Sequence, residues 1–287
     1  MDKIRKFLTS DWAINRQDLS GILSVITPCI VSGRTEDAEN LLEKNAPTAK
    51  AVAAPYVVDE YELYSPNLPA NSIATIYLRG TLYAWDTDCL LRLIDEVEKN
   101  PAIVGLVLIV DGPGGHADRV DVAAAKIKEM TKPSATLVTG SMCSAHYWLG
   151  SSTDRVFALS PLCTVGSVGA MCTFTSLSEF FKSNGIEIRD IYPTSSDLKN
   201  EEYRALEAGD DELTKSRLER LHKVFAEAVA ENRAIPYDPK LDFYRGRVFF
   251  AEDAVKLGYI DCIGEFSDAV LWVLTQATGR QAAQLYQ

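Results

Sequence analysis

The chain has 287 residues, of which 47% are hydrophobic and 24% are charged, and its formal net charge is −11. This composition is typical of globular proteins with a sizeable core and excludes disordered, collagen-like and coiled-coil chains. The excess of 40 Asp and Glu over 29 Lys and Arg argues against a nucleic-acid partner or an anionic membrane surface.

Cysteine spacing and hydrophobicity narrow the class of protein further. The six cysteines include no CxxC pair, so the sequence predicts no zinc site and indicates a reducing compartment. The apolar stretches 21–31 and 102–110 are too short to span a bilayer. The basic start of the chain lacks the uninterrupted apolar run of a signal peptide. We therefore expect a soluble protein that is not secreted and has no membrane partner.

The pattern of predicted elements changes near residue 70. The first 70 residues predict a mainly helical N-terminal arm, with helices over 13–26 and 35–44 and an extended linker over 45–71. From Ser72 onward, residues 71–287 alternate between strand and helix patterns, which indicates an α/β fold with a largely parallel sheet. The predicted strands are 72–78, 103–110, 135–139, 155–158 and 186–191. The predicted helices are 86–99, 117–130, 144–151, 211–233, 251–257 and 267–276.

Two segments follow the carboxyl ends of predicted strands, where ligands bind in open α/β sheets. The first, residues 111–116, is predicted to turn at its glycines. Gly114 and Gly115 could present a backbone N–H to a developing oxyanion, although their spacing alone favours a plain strand-to-helix turn. The segment matches neither a P-loop nor a complete GxGxxG pattern.

The second segment, residues 140–146, holds three candidate nucleophiles. Ser144 lies at the predicted strand-to-helix junction, where the N–H of Ala145 could act as a second oxyanion donor. A serine at this position is more often a helix N-cap. Ser141 and Cys143 are rival nucleophiles nearby, and Cys143 would need a partner that lowers its pKa.

A serine nucleophile needs a base, and the chain has three histidines. His146 is too close to Ser144 in sequence, and His222 is predicted to be a surface residue. His116, in the neighbouring segment, is the best imidazole candidate. The other route is a lysine kept neutral by burial, for which Lys199 is a candidate, although composition and spacing alone favour an exposed side chain.

Four segments in this order resemble serine peptidase family 49, the signal peptide peptidase A family, which includes the phage capsid protein C type of prohead protease. The resemblance covers about residues 72–275. The four segments are DGPGG at 111–115, MCSAHYW at 142–148, VGSVG at 165–169, and Ile191-Tyr192 followed by Lys199.

The resemblance implies a role for each matching residue. Ser144 matches the nucleophile of the family and Lys199 matches its general base. The N–H groups of Gly115 and Ala145 match the oxyanion hole. The reaction needs no metal and no organic cofactor.

The resemblance further assigns supporting positions to Gly114 and Ser167, the latter helping to hold the lysine. It implies the Clp protease/crotonase-like fold, a superhelix of ββα units, and assembly into a homo-oligomer. This sequence departs from the family where Asp111 and Gly112 replace the usual Asn or Ser, and where His116 replaces a small residue. These departures concern the substrate groove.

The arm and the absence of an apparent membrane anchor resemble the phage members of the family. We expect a capsid maturation protease that cleaves scaffold, portal or capsid proteins, in the cytoplasm of a bacterial host and within the prohead. The alternatives are a soluble cellular peptidase of the signal-peptide-peptidase type and an inactive capsid scaffold component. A crotonase-like acyl-CoA enzyme is disfavoured by the pairing of Ser144 with Lys199.

Overall fold

A computed structural model describes residues 12–14, 16–43, 46–53 and 60–285. Within these residues the strands form one ten-stranded sheet. The strands are β1 Trp12–Ile14, β2 Thr48–Ala53, β3 Glu60–Glu62, β4 Ser72–Leu82, β5 Ile103–His116, β6 Ser134–Cys143, β7 Arg155–Ala158, β8 Thr164–Gly166, β9 Val248–Phe250 and β10 Cys262–Ile263. The α-helices are α1 Arg16–Val31, α2 Thr35–Glu43, α3 Ala84–Lys99, α4 Val120–Lys128, α5 Ala145–Ser151, α6 Ser178–Ser183, α7 Glu201–Glu207, α8 Glu212–Arg233, α9 Ala251–Lys256 and α10 Phe266–Leu285.

The main path of the sheet runs in the order β10-β7-β6-β5-β4-β2-β3. Strands β4, β5, β6, β7 and β10 are parallel, whereas β2 and β3 add to one side in antiparallel fashion. Strands β1, β8 and β9 join the sheet off this path. The helices lie between successive parallel strands, so the predicted α/β class is confirmed.

The core has two layers, one on each face of the sheet. Along β5, Leu106, Leu108 and Val110 belong to the larger cluster, with residues of α3, α4, α5 and α8. Val107 and Ile109 face the opposite layer, where α10 packs. This alternation follows from the two-residue period of a strand buried on both sides.

Several predicted elements agree with the structure to within a few residues. The confirmed strand is 155–158, and the confirmed helices are 35–44, 86–99, 211–233 and 251–257. The strand at 135–139 and the helix at 267–276 are also present, but each extends further than predicted, to 134–143 and 266–285.

The N-terminal region differs from the prediction. The helix predicted to start at residue 13 starts at Arg16, and residues 12–14 form strand β1 instead. The predicted linker over 45–71 is wrong where β2 and β3 lie, because β2 pairs with β4 along its whole length. The division of the chain at residue 70 stays a prediction.

The predicted turn over 111–115 is also wrong. Strand β5 continues through the glycines to His116, and β4 continues past Gly80 to Leu82. The two strands remain paired through a bulge, with Leu82 opposite Gly115. Gly114 and Gly115 therefore belong to an extended strand, which we call the glycine edge of β5. Their turn propensity does not predict this pairing with a distant strand.

The strand predicted over 186–191 is absent. These residues form no regular element in the structure, and the side chains of Ile186, Ile188 and Ile191 are exposed. No described strand pairs with this segment, so its β-branched residues have no sheet to join. The short strands β8 and β9, which pair with each other, were not predicted.

Candidate active site

Ser144 lies in a sharp turn between the end of β6 and the start of α5. Its backbone dihedral angles are φ 55° and ψ −119°, a conformation that costs a non-glycine residue roughly 1–3 kcal/mol. The turn is held in place by a hydrogen bond of 2.8 Å from the Ser144 N–H to the Gly166 carbonyl. Strained turns of this kind occur where a fold must present a side chain at one position.

The Ser144 hydroxyl makes one long hydrogen bond among the described residues, donating to the Gly169 carbonyl at 3.5 Å. This distance is at the outer limit for a hydrogen bond, so the hydroxyl is held weakly. The following residue, Ala145, is the first of α5 and is fully buried. Its N–H belongs to the first helical turn, where backbone donors have no acceptor within the helix.

The glycine edge of β5 runs beside the Ser144 turn. In the parallel pairing of β5 with β6, Gly112 lies opposite Met142. Gly114 comes two residues after Gly112, and Ser144 comes two residues after Met142. The glycine edge and the Ser144 turn therefore lie side by side. Gly115 lies against β4 so closely that a Cβ would meet the Leu82 carbonyl oxygen at 1.9 Å. Glycine is therefore required at this position for the backbone edge to exist.

His146 joins the two parts of this site. Its Nδ1 accepts a hydrogen bond of 3.0 Å from the Gly114 N–H, and its ring is buried. Burial lowers the pKa of His146 to about 4, against the opposing effect of the Asp111 charge. The ring is thus neutral near pH 7, and with Nδ1 as acceptor its proton resides on Nε2. This hydrogen bond was not predicted from the sequence, where His146 was considered only as a base and set aside as too close to Ser144.

The rival groups lie in other environments. The ring of His116 is buried, with ring centroids 4.1 Å from Trp12 and 5.5 Å from Tyr83, and it makes no hydrogen bond to Ser144. The Ser141 N–H donates to the Asp111 carboxylate at 2.9 Å. Cys143 is buried at the end of β6. None of these arrangements forms a nucleophile–base pair with Ser144.

Ser167 lies next to the Ser144 turn, because Gly166 of β8 is opposite Cys143 of β6, whereas Lys199 makes no hydrogen bond to Ser144 in the single chain. Ser167 has a positive φ of 55°, and its N–H donates to the Arg247 carbonyl at 2.9 Å. Lys199 is exposed, and its side chain forms no hydrogen bond or ion pair with the described residues. The predicted roles of both residues therefore stay predictions.

The segment that carries Lys199 is anchored to the rest of the chain. Ser176 and Ser178 donate to the Glu207 carboxylate at 2.8 and 2.7 Å, and Glu202 pairs with Arg217 of α8 at 2.9 Å. The Arg217 guanidinium holds α7 against α8 and, together with the Thr214 hydroxyl, lowers the pKa of the Glu202 carboxyl. The single chain thus presents Lys199 outward from a structured segment.

A depression of about 270 Å³ adjoins the site on the side of Gly169, the residue that accepts the Ser144 hydroxyl. It is large enough for a substrate side chain. Half-buried His222 lies in its lining rather than on the open surface. The full lining is Val168, Gly169, Ala170, Lys215, Leu218, Glu219, His222, Tyr244 and Arg245.

Among the described residues, no group of three or more His, Cys, Asp or Glu side chains is placed to hold a metal ion.

The model of Peptidase family S49 matches residues 126–279, more than half of the chain. The chain belongs to this peptidase family. The match includes Ser144, Ala145, Ser167 and Lys199, and it leaves out the glycine edge of β5. Membership of the S49 family confirms the resemblance that the motifs indicate.

Relatives of this S49 chain have several kinds of names. It is 26% identical over 182 residues to a protein named as a protease from Methanocaldococcus jannaschii, covering 63% of this chain and 58% of that one. It is 24% identical to Protease 4 of Haemophilus influenzae (74% and 35% covered) and 25% identical to the Capsid assembly protease C of Escherichia phage lambda (70% and 48%). The chain thus spans about a third to three fifths of the length of these relatives.

Solved structures similar to this S49 chain include an enoyl-CoA hydratase from Shewanella pealeana. The identity is 13%, the TM-score is 0.44, and the match covers 73% of this chain and 76% of that one.

In the described part of the chain, no helix combines the length and the hydrophobicity needed to cross a bilayer.

Proposed function

We propose that this chain is a serine endopeptidase in which Ser144 is the nucleophile and Lys199 is the general base. The observation that carries the proposal is the strained Ser144 turn beside the extended glycine edge of β5. A weakly held hydroxyl next to backbone donors is the arrangement that acyl transfer needs. No metal or cofactor takes part in this reaction.

The chemistry follows from these groups. A neutral Lys199 amine takes the proton of Ser144 as Oγ attacks the scissile carbonyl. The N–H groups of Gly115 and Ala145 stabilise the oxyanion that forms. Lys199 then donates the proton to the leaving amine, and water hydrolyses the acyl-enzyme.

Lys199 is exposed in the single chain, so we propose that a second copy of the chain brings it to Ser144. The same segment exposes apolar side chains: Ile191 is 90% exposed, Leu198 68% and Ile188 66%. Covering these side chains in a homo-oligomer would remove apolar surface from water and would bury Lys199 with them. Burial disfavours the ammonium form, as the base role requires.

Mixing two inactive variants tests both the dyad and its location. Ser144→Ala and Lys199→Ala should each abolish hydrolysis of an unfolded protein substrate such as casein. An assembly made from both variants should regain activity, because a Lys199 from one copy meets a Ser144 from another. Full activity of Lys199→Ala with loss in His116→Ala would overturn the assignment of the base.

For the substrate, we propose scaffold, portal or capsid proteins of a phage prohead. The support is the similarity to two phage proteins, named Capsid assembly protease C and Head-tail preconnector protein GP5. The second candidate is a peptidase that degrades signal peptides, which a relative from Enterococcus faecium named as a signal peptide peptidase favours.

Co-expression with the proteins encoded beside this chain separates the two candidates. Cleavage of a head protein by the wild type, and not by Ser144→Ala, supports the capsid role. Cleavage of signal peptides with head proteins left intact supports the second candidate. An assembly inactive toward both sets would instead indicate a structural component of the shell.

A further inference from the structure

Strand β1 lies where a peptide substrate would have to bind. On one edge it pairs with the end of β5 in antiparallel fashion, with Trp12 opposite His116 and Ile14 opposite Gly114. On its other edge it bridges to Met171, just beyond the residue that accepts the Ser144 hydroxyl. The segment is therefore held between two backbone edges that flank the proposed active site, as peptides are when they add a strand to a sheet.

The register of this strand places a peptide carbonyl at the proposed oxyanion donor. The Trp12 N–H donates to the Met171 carbonyl, and the Met171 N–H donates to the Trp12 carbonyl, each at 3.0 Å. Successive residues of a strand direct their backbone groups to opposite edges. The groups of Ala13 therefore face Gly115, and the Gly115 N–H is directed at the Ala13 carbonyl.

Side chains on either side of Ala13 anchor the segment. Trp12 is 3% exposed and its ring packs edge-on against His116 and Tyr83. Ile14 is 4% exposed. Both belong to a small apolar cluster formed with α1 and α2, separate from the main core. Burial of Trp12 and Ile14 in this cluster therefore holds β1 in place beside Gly114 and Gly115.

We propose that residues 12–14 are a tethered occupant of the peptide groove, bound as a substrate strand would bind, and that peptides enter only after this segment leaves. The inference rests on the proposed function, because it takes Gly115 as the oxyanion donor. It defines the substrate as an extended peptide that runs antiparallel to Gly114–His116. It also makes the N-terminal arm an intramolecular inhibitor.

Peptide binding to an inactive background tests this proposal without any hydrolysis. The probe is a fluorescent synthetic peptide of residues 9–17, and its binding is measured by fluorescence polarisation. The proteins are Ser144→Ala and the same chain with Trp12→Ala added. A tethered segment competes at an effective concentration in the millimolar range, so removing its anchor should strengthen peptide binding by at least about tenfold.

Matched controls separate groove release from general loosening. Trp272→Ala removes the same side chain type from α10, on the opposite face of the sheet, and should leave peptide binding unchanged. A peptide with alanine in place of its tryptophan should bind poorly, because the vacated Trp12 site then stays empty. Ala13→Pro is the second variant: it removes the N–H that faces Gly115 and should also strengthen binding.

Two results would overturn the proposal. One is equal affinity of the peptide for Ser144→Ala and for both arm variants. The other is equal binding of the peptide that lacks tryptophan. A wild-type assembly that hydrolyses no peptide would count against the proposed function and would leave this binding result untouched.

Discussion

The backbone N–H of Gly114 donates a hydrogen bond to Nδ1 of His146, with 3.0 Å between the two nitrogens. This contact ties the glycine edge of β5 to the helix that begins immediately after Ser144. Among the described residues, the Ser144 hydroxyl bonds to the Gly169 carbonyl and not to His146. We infer that His146 positions the glycine edge that carries the proposed oxyanion donor relative to the proposed nucleophile.

Replacing His146 tests this positioning role. His146→Phe leaves the buried Gly114 N–H without an acceptor, which should cost about 1–3 kcal/mol of stability and lower kcat more than KM. His146→Asn keeps an acceptor atom near the position of Nδ1 and should recover part of kcat. Steady-state kinetics with urea unfolding checks both effects. Equal kcat values for the two variants would contradict the role of the hydrogen bond.

His146 also predicts how stability depends on pH. Burial lowers its pKa to about 4 from an ordinary value of 6.5. Between pH 4 and pH 6.5 the imidazole is therefore protonated in the unfolded chain and neutral in the folded chain. The contribution to the free energy of unfolding is complete above pH 6.5 and falls by about 3 kcal/mol as the pH drops to 4. Urea unfolding from pH 4 to 8 should show a steeper loss for the wild type than for His146→Asn. Parallel curves would contradict the burial argument.

Gly115 should tolerate no side chain. In Gly115→Ala the new Cβ would lie 1.9 Å from the Leu82 carbonyl oxygen, a backbone atom that cannot move alone. We expect a loss of a few kcal/mol of stability and of nearly all activity, because the proposed oxyanion donor shifts with the strand. Gly21→Ala is the matched control, since its Cβ would meet open space in α1 and it should stabilise by up to about 1 kcal/mol. Thermal unfolding that ranks the two variants equally would refute this reasoning.

The register of β1 predicts the bond that an active assembly cuts in its own arm. The Ala13 carbonyl faces the proposed oxyanion donor, so cleavage should fall between Ala13 and Ile14. Intact-mass measurement of the assembled wild type should show loss of residues 1–13, and Ser144→Ala should keep them. If an assembly that hydrolyses other peptides keeps its whole arm, this register is not the productive one.

The central part of the fold was predictable because its signals are local. The apolar run before Asp111 forms β5, and the junction that presents Ser144 follows directly from the sequence. The continuation of β5 through Gly114 was not predictable, because it depends on pairing with the end of β4 and with β1, about a hundred residues earlier in the chain. A glycine pair has the same local signature in a turn and in a strand edge.

For Lys199, the sequence predicts a role but not a position in the fold that supports it. Its position 55 residues after Ser144 follows the family pattern, yet the single chain leaves it exposed. The predicted strand before it failed because Ile186 and Ile191 have no neighbouring strand among the described residues. Spacing along a sequence carries no information about the contact with a second copy that we propose for Lys199. His146 was missed for a related reason, since its acceptor role depends on a strand distant in sequence.

Labelling with an active-serine phosphonate, followed by peptide mapping, tests the central claim most directly. The assembled wild type should be labelled at Ser144, and the label should be lost in both Ser144→Ala and Lys199→Ala. Loss of a nucleophile or base that acts as one unit costs on the order of 10⁴–10⁶ in rate, so the difference should be unambiguous. Labelling at Ser141 or Cys143, or wild-type labelling of Lys199→Ala, would contradict the Ser144–Lys199 dyad.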